Sequence, residues 1–214
     1  VVKSNKVEGD LIVPIPIGTF GNLSVVTAPP KTKKTFFISL LASCYLSGQN
    51  TFGGNIKGHR GNDGHLIHID TEQGLWHCQK VFERVHKMDS NINSEIYHTF
   101  GLRSIDYKMR IEFIDYYLRE KIKTPSLVII DGIADLCSDA NNISESNQVV
   151  QKLMEWSAKY KCHIINVIHQ NFGSSKLGTG HLGSFLEKKA ETVIQLEANT
   201  VNKDWVTVKC GRSR

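Results

Sequence analysis

The chain predicts an α/β fold built on a mainly parallel sheet, with an antiparallel pair of strands at its C-terminal end. Three observations carry that prediction. Short β-branched runs alternate with longer helical patterns along the whole chain, the order that a parallel sheet with crossover helices requires. Residues 126–130 (SLVII) and 163–168 (HIINVI) are nearly continuous apolar runs, as in strands buried on both faces. Residues 191–197 and 205–209 alternate more clearly and are separated by a polar stretch at 199–204, which suits an antiparallel pair.

Each element follows from local pattern. Residues 23–27 form a strand and 35–46 a helix. Residues 65–70 (HLIHID) form the next strand, followed by an amphipathic helix over 75–87 that places Leu75, Val81, Phe82 and Val85 on one side. A short strand at 95–100 precedes a helix over 106–121 with Met109, Ile111, Ile114, Tyr117 and Leu118 at its apolar positions. After the strand at 126–130, Ser144 is expected to cap a helix running to about Lys161, with Glu145 and Gln148 in its first turn. The glycine-rich segments 48–64 and 171–183 read as connections without structure of their own. No repeat or internal boundary is visible, so residues 1–214 read as a single domain.

At 214 residues the chain can bury a substantial core, and 40% hydrophobic with 22% charged residues is the balance of a soluble globular domain. The formal charge of +5 suits an anionic partner such as DNA, and equally suits ordinary solubility. The longest apolar stretch, 36–46, is too short for a membrane span and contains Ser39, Ser43 and Cys44. No signal segment opens the chain. The five cysteines are scattered without a Cys-x-x-Cys pair, which points to reduced thiols, a cytoplasmic location and no metal–thiolate site.

The segment with most chemical content is Ala28-Pro29-Pro30-Lys31-Thr32-Lys33-Lys34-Thr35, between the first strand and the first helix. It has the position and two of the residues of a phosphate loop, G-x-x-x-x-G-K-[ST]. Lys34 is placed to reach the β and γ oxygens of a bound triphosphate, and Thr35 to hold Mg²⁺. Both glycines are replaced. Ala28 still permits close approach. Lys33 costs on the order of 1–2 kcal/mol if that position needs a positive φ, and would add a cation beside the triphosphate. Taken alone, the octapeptide could equally be a basic turn before a core helix.

Other strand ends supply the rest of a nucleotide site. Asp131, followed by Gly132, ends the 126–130 strand where a Walker B carboxylate would support Mg²⁺. Asp70 and Glu72 end the 65–70 strand; Glu72 could activate a water, or be an acid in the N-cap region of the next helix. His169 or Gln170, after the 163–168 strand, could hydrogen-bond a γ-phosphate. Arg212 and Arg214 could be a solvated tail, or fingers that reach a neighbouring subunit's nucleotide.

With these motifs in this order, the chain resembles the RecA-like P-loop ATPases, in particular the branch of hexameric replicative helicases and related ATPases of plasmids and mobilizable transposons. The turn Gly21-Asn22-Leu23, its spacing to Thr35, and the runs HIDTEQ, IIDGIADL, VIHQN and GHLGS carry the likeness, which spans essentially the whole chain. The resemblance implies a RecA-like core that binds ATP and Mg²⁺. It assigns Glu72 as catalytic glutamate, Asp131 as Walker B aspartate, Gln170 as phosphate sensor, and Arg212 and Arg214 as the pair reaching the adjacent subunit. It also implies a homo-oligomer, a hexameric ring or filament, and places a DNA-facing loop at 173–183, with Lys176, Gly178, Gly180 and His181 as candidate contacts to single-stranded DNA. Residues 182–197 are then the closing helix and strand. Two rival readings are an accessory module that binds nucleotide or DNA without turnover, favoured by Lys33, and a small-molecule kinase, which lacks an evident arginine-rich lid here.

Overall fold

The computed structural model describes residues 2–8, 11–48, 50–51, 56–60, 64–170, 178–202 and 204–213. In chain order the strands are β1 (Val2–Glu8), β2 (Leu11–Pro16), β3 (Leu23–Ala28), β4 (Asn50–Thr51), β5 (Ile56–Gly58), β6 (His65–Asp70), β7 (Tyr97–Gly101), β8 (Pro125–Asp131), β9 (His163–His169), β10 (Thr192–Ala198) and β11 (Val206–Ser213). The helices are α1 (Lys34–Ser47), α2 (Leu75–Met88), α3 (Tyr107–Tyr116), α4 (Ile143–Lys159) and α5 (Gly180–Lys189).

The main sheet has seven strands in the order β11-β10-β3-β9-β8-β6-β7. All its pairings are parallel except that of β10 with β11. Its central strands are buried on both faces because alternate residues serve opposite cores. Val25, Ile67, Ile69, Val128, Ile130 and Ile164 face the layer of α3, α4 and α5, where Ile114, Leu153, Trp156 and Leu186 pack. Val26, Leu66, Leu127, Ile129 and Ile165 face α1 and α2 through Ile38, Leu41, Tyr45 and Val85. This double burial explains the unbroken apolar runs in the sequence.

The elements differ from the sequence reading where local capping or distant pairing decides them. Asn142, not Ser144, caps α4: its side-chain oxygen accepts from the backbone N–H groups of Ser144 and Glu145 at 2.9 and 3.2 Å. The Glu145 carboxylate reaches back instead to the N–H of Ser138 at 2.8 Å. The helix expected over 106–121 is capped by Asp106, is α-helical only to Tyr116, and ends in a π-helical turn, Tyr117–Lys121. A 3₁₀ turn, Ser94–Ile96, delays the start of β7.

The segment 48–64 is not merely a connection, because it carries β4 and β5. These join β1 and β2 in a second, four-stranded sheet ordered β2-β1-β5-β4. Gly58 lets β5 lie directly on the end of α1, since a Cβ there would come within 1.7 Å of the Cys44 carbonyl oxygen. The segment 171–183 likewise ends in structure, with α5 starting at Gly180. Residues 171–177, including Lys176, lie outside the described part.

Candidate nucleotide site

The carboxyl ends of β3, β9, β8 and β6 lie side by side and bring the phosphate loop together with three strand-end residues, the crevice where such sheets bind ligands. Ala28 is in register with His169, and Asp70 with Asp131. Lys34 opens α1 and is only 8% exposed. Its Nζ lies 2.7 Å from Nδ1 of His169, whose Nε2 is 3.3 Å from Oε2 of Glu72. Burial lowers the Lys34 pKa, while Glu72 and Asp131 act to raise it. The hydrogen bond to His169 lowers the Glu72 pKa against desolvation, with help from Lys34. Lys34 and Asp131 form the deep wall, and the Glu72 and His169 side chains, 36% and 40% exposed, form the open one.

The acidic wall is tightly fastened. Asp70 accepts from the backbone N–H groups of Glu72 and Gln73 through one oxygen, and from Nε2 of Gln73 through the other at 2.7 Å. Asp70 therefore stabilises the turn into α2, and the Glu72 side chain is left to face His169. The N–H of Thr71 donates to the Asp131 carbonyl at 3.0 Å. Gly132 is required there: its φ is +99°, and a Cβ would come within 2.3 Å of the Thr71 hydroxyl. The Asp131 carboxyl is pushed up to about 7 by burial, then by its neighbours Asp70 and Glu72. Its Oδ2 is buried without a hydrogen-bond partner. An orphaned acceptor in an anionic corner fits a cation. No cluster of three or more His, Cys, Asp or Glu among the described residues could hold a metal alone. The unpartnered Asp131 oxygen suits Mg²⁺, which takes few protein ligands and completes its shell with water and phosphate oxygens.

The loop itself is strained. Lys31 and Lys33 both adopt left-handed conformations, with φ of 62° and 57°, each costing on the order of 1–2 kcal/mol for a side-chain-bearing residue. The Thr32 hydroxyl closes the turn by donating to the Pro29 carbonyl at 2.6 Å. Contrary to the expected second cation at the triphosphate, Lys33 points its Nζ at the β10–β11 turn, 2.9 Å from the Asp204 carbonyl and 3.2 Å from its Oδ1. Such an exposed pair contributes roughly 0–1 kcal/mol, less than the two strained lysines cost.

The structure thus brings Lys34, Glu72 and Asp131 into one crevice with the loop 28–35. Gln170 is turned differently: its Nε2 donates to the Thr27 hydroxyl at 3.2 Å, and the ring of His169 stands between Lys34 and Glu72. Arg212 stands on β11 opposite Val193; its side chain and the whole of Arg214 lie outside the described part. Gly178 and Gly180 are held by packing. A Cβ on Gly178 would come within 3.0 Å of Gly183 and Ile168, and one on Gly180 within 2.5 Å of the Ala140 carbonyl oxygen. His181 is exposed on the first turn of α5. Sequence reasoning missed Arg84 on α2, whose guanidinium lies 3.7 Å over the Phe36 ring and donates to the Thr35 carbonyl at 3.4 Å. An arginine within an amphipathic helix carries no local signal for that contact.

Fold and site together define a RecA-like P-loop ATPase domain. Residues 16–174 match the protein-family model described as an AAA domain, and the chain belongs to that family. Among solved structures it is similar to the RadB recombinase, with a TM-score of 0.61 and 16% identity over 92% of this chain and 83% of that one. It is also similar to a second solved structure, an ATPase domain, with a TM-score of 0.62 and 14% identity over 92% of this chain and 78% of that one. At these identities the likeness is one of fold. No curated protein sequence matches the chain. Among the described residues, no helix is long and apolar enough to cross a membrane.

Proposed function

We propose that the chain binds ATP with Mg²⁺, hydrolyses it, and couples the cycle to the handling of DNA within a homo-oligomer. The observation that carries the reading is the convergence of Lys34, Asp131 and Glu72 at the ends of neighbouring parallel strands. Backbone N–H groups of the loop and the N-terminus of α1 receive the phosphates, and Lys34 reaches their β and γ oxygens. Thr35 and Asp131 would hold Mg²⁺, which when bound supplies positive charge against the phosphates. Glu72 accepts a proton from the attacking water. The new bond joins the water oxygen to the γ-phosphorus, and the electron pair of the broken bond leaves on the β-phosphate oxygen of ADP. Arg212 and Arg214 are proposed to reach a neighbouring subunit's site, and the segment around Lys176 and His181 to meet single-stranded DNA. A ring or filament is the proposed assembly.

Phosphate release measured against protein concentration, with and without single-stranded DNA, tests the whole reading. Release should rise more than linearly with protein concentration and be stimulated by DNA. Specific activity flat with concentration would remove the oligomer, and no response to DNA would remove the coupling. The rival reading, an accessory module without turnover, is favoured by the left-handed Lys31 and Lys33. Its signature is tight ATP binding with no phosphate release under any of these conditions.

A further inference from the structure

We propose that Phe36, held in place by Arg84, is the platform on which the base of the bound nucleoside triphosphate stacks, adding equally to the binding of ATP and GTP and less to that of CTP. The proposal rests on the reading of the crevice as a nucleotide site. Phe36 is the one exposed residue of α1, a helix otherwise buried or half-buried along its length. It directly follows Thr35 and is 52% exposed. Two positions separate it from Lys34, so at 3.6 residues per turn the two side chains leave the helix about 200° apart. Lys34 turns inward, into the field of Glu72 and Asp131, where the γ end of a triphosphate is read. The nucleoside, at the other end of the phosphate chain, leaves the start of α1 by an open flank. The flank toward β10 and β11 is taken by Lys33, whose Nζ is bonded to Asp204. The flank of Phe36 opens to solvent.

The ring is fixed before any ligand arrives. The Arg84 guanidinium carbon lies 3.7 Å from the ring centroid, within the range where a cation is attracted to the face of a phenyl ring. Arg84 is itself tied to the first turn of α1: its Nη1 donates to the Ser39 hydroxyl at 3.3 Å and to the Thr35 carbonyl at 3.4 Å. The Ser39 hydroxyl donates in turn to that same carbonyl at 2.8 Å. One face of Phe36 is therefore covered by a fastened cation, and the ring's plane is set without cost at the moment of binding. A base stacks on the other face, offset, as aromatic rings do. A ring face reads the area of a base and not the donors and acceptors on its edge, so Phe36 separates purines from pyrimidines and not adenine from guanine. Arg84 acts through Phe36 and is a positioning residue.

Isothermal titration with Mg²⁺ and non-hydrolysable analogues of ATP, GTP and CTP, beside inorganic tripolyphosphate, tests the platform. Phe36→Ala should lose roughly tenfold in affinity for the ATP and GTP analogues alike and less for the CTP analogue. Its affinity for tripolyphosphate, which has no base, should stay that of the native chain. Phe36→Trp should keep the nucleotide affinity, whereas Phe36→Leu, apolar but without a ring, should lose it. Arg84→Gln should weaken the purine analogues without changing tripolyphosphate, and should add nothing further in the Phe36→Ala background, a coupling that general loosening of α1 would not produce. Nucleotide affinity unchanged in Phe36→Ala, or an equal loss for tripolyphosphate, overturns the platform and leaves the phosphate site standing. A native chain that binds neither tripolyphosphate nor nucleotide overturns the ATP reading, and the platform with it.

Discussion

On the β6 and β8 side of the crevice, Asp70, Thr71 and Asp131 are buried; donors fasten both carboxylate oxygens of Asp70, whereas Oδ2 of Asp131 has none. On the β3 side, the loop 28–35 is closed by the Thr32–Pro29 bond and tied outward by Lys33 to Asp204. Both walls hold unfavourable free energy, in different forms. The acidic wall stores the cost of a buried carboxylate and, after it, repulsion from Asp70 and Glu72, seen in an Asp131 carboxyl raised to about 7. The loop stores backbone strain in two left-handed lysines. A cation would relieve the first and a phosphate would be received by the second, so the two walls answer to different parts of one ligand.

The contrast can be broken at specific residues. Gly132→Ala should have the largest effect, because a φ of +99° and a contact of 2.3 Å leave no room for a methyl group. A loss of about 3 kcal/mol in urea unfolding is expected, and an unchanged midpoint would show that the acidic wall is looser than described.

Asp131→Asn should act in the opposite direction. The folded pKa of about 7 lies above the ordinary value of 3.8, so between them the folded state binds more protons than the unfolded. The carboxylate therefore lowers stability as pH rises through that window. Without metal, Asp131→Asn should gain about 2 kcal/mol at pH 8 after allowing about 2 kcal/mol for an unsatisfied amide, and below about pH 4, where the carboxylate cost is gone, it should lose about that amide cost. The gain should accompany lost Mg²⁺-dependent nucleotide binding; a pH-independent change would show that no such cost of ionisation is stored there.

Lys33→Gly should have the smallest effect. It removes a left-handed lysine and an exposed ion pair together, and a net gain of about 1 kcal/mol in thermal unfolding is expected. A loss of stability would mean that the tie to Asp204 matters more than the strain.

Much of this arrangement is legible in the sequence because it depends on local order. Strand-end positions of Asp70, Asp131 and His169 follow from apolar runs that stop at a polar residue, and the helix after Thr35 follows from its composition. The features that local order hides depend on contacts between distant segments. The strands within 48–64 exist because β5 pairs with β1 at the start of the chain and β4 pairs with β5, while the glycines of this segment read as flexibility. Gly183 reads in the same way, yet a Cβ there would come within 2.2 Å of the Gly178 backbone. The direction of Lys33 depends on a hairpin some 171 residues away in sequence. The choice between His169 and Gln170 depends on which face of β9 meets Thr27, and a single strand's residue order leaves that choice open.

The central claim is that the crevice hydrolyses ATP with Glu72 as the group that takes the water's proton. Phosphate release by Glu72→Gln, measured beside its affinity for a non-hydrolysable ATP analogue, tests it most directly. Turnover should fall by about 10²–10⁴-fold with nucleotide affinity retained. Turnover equal to that of the native chain would contradict the claim.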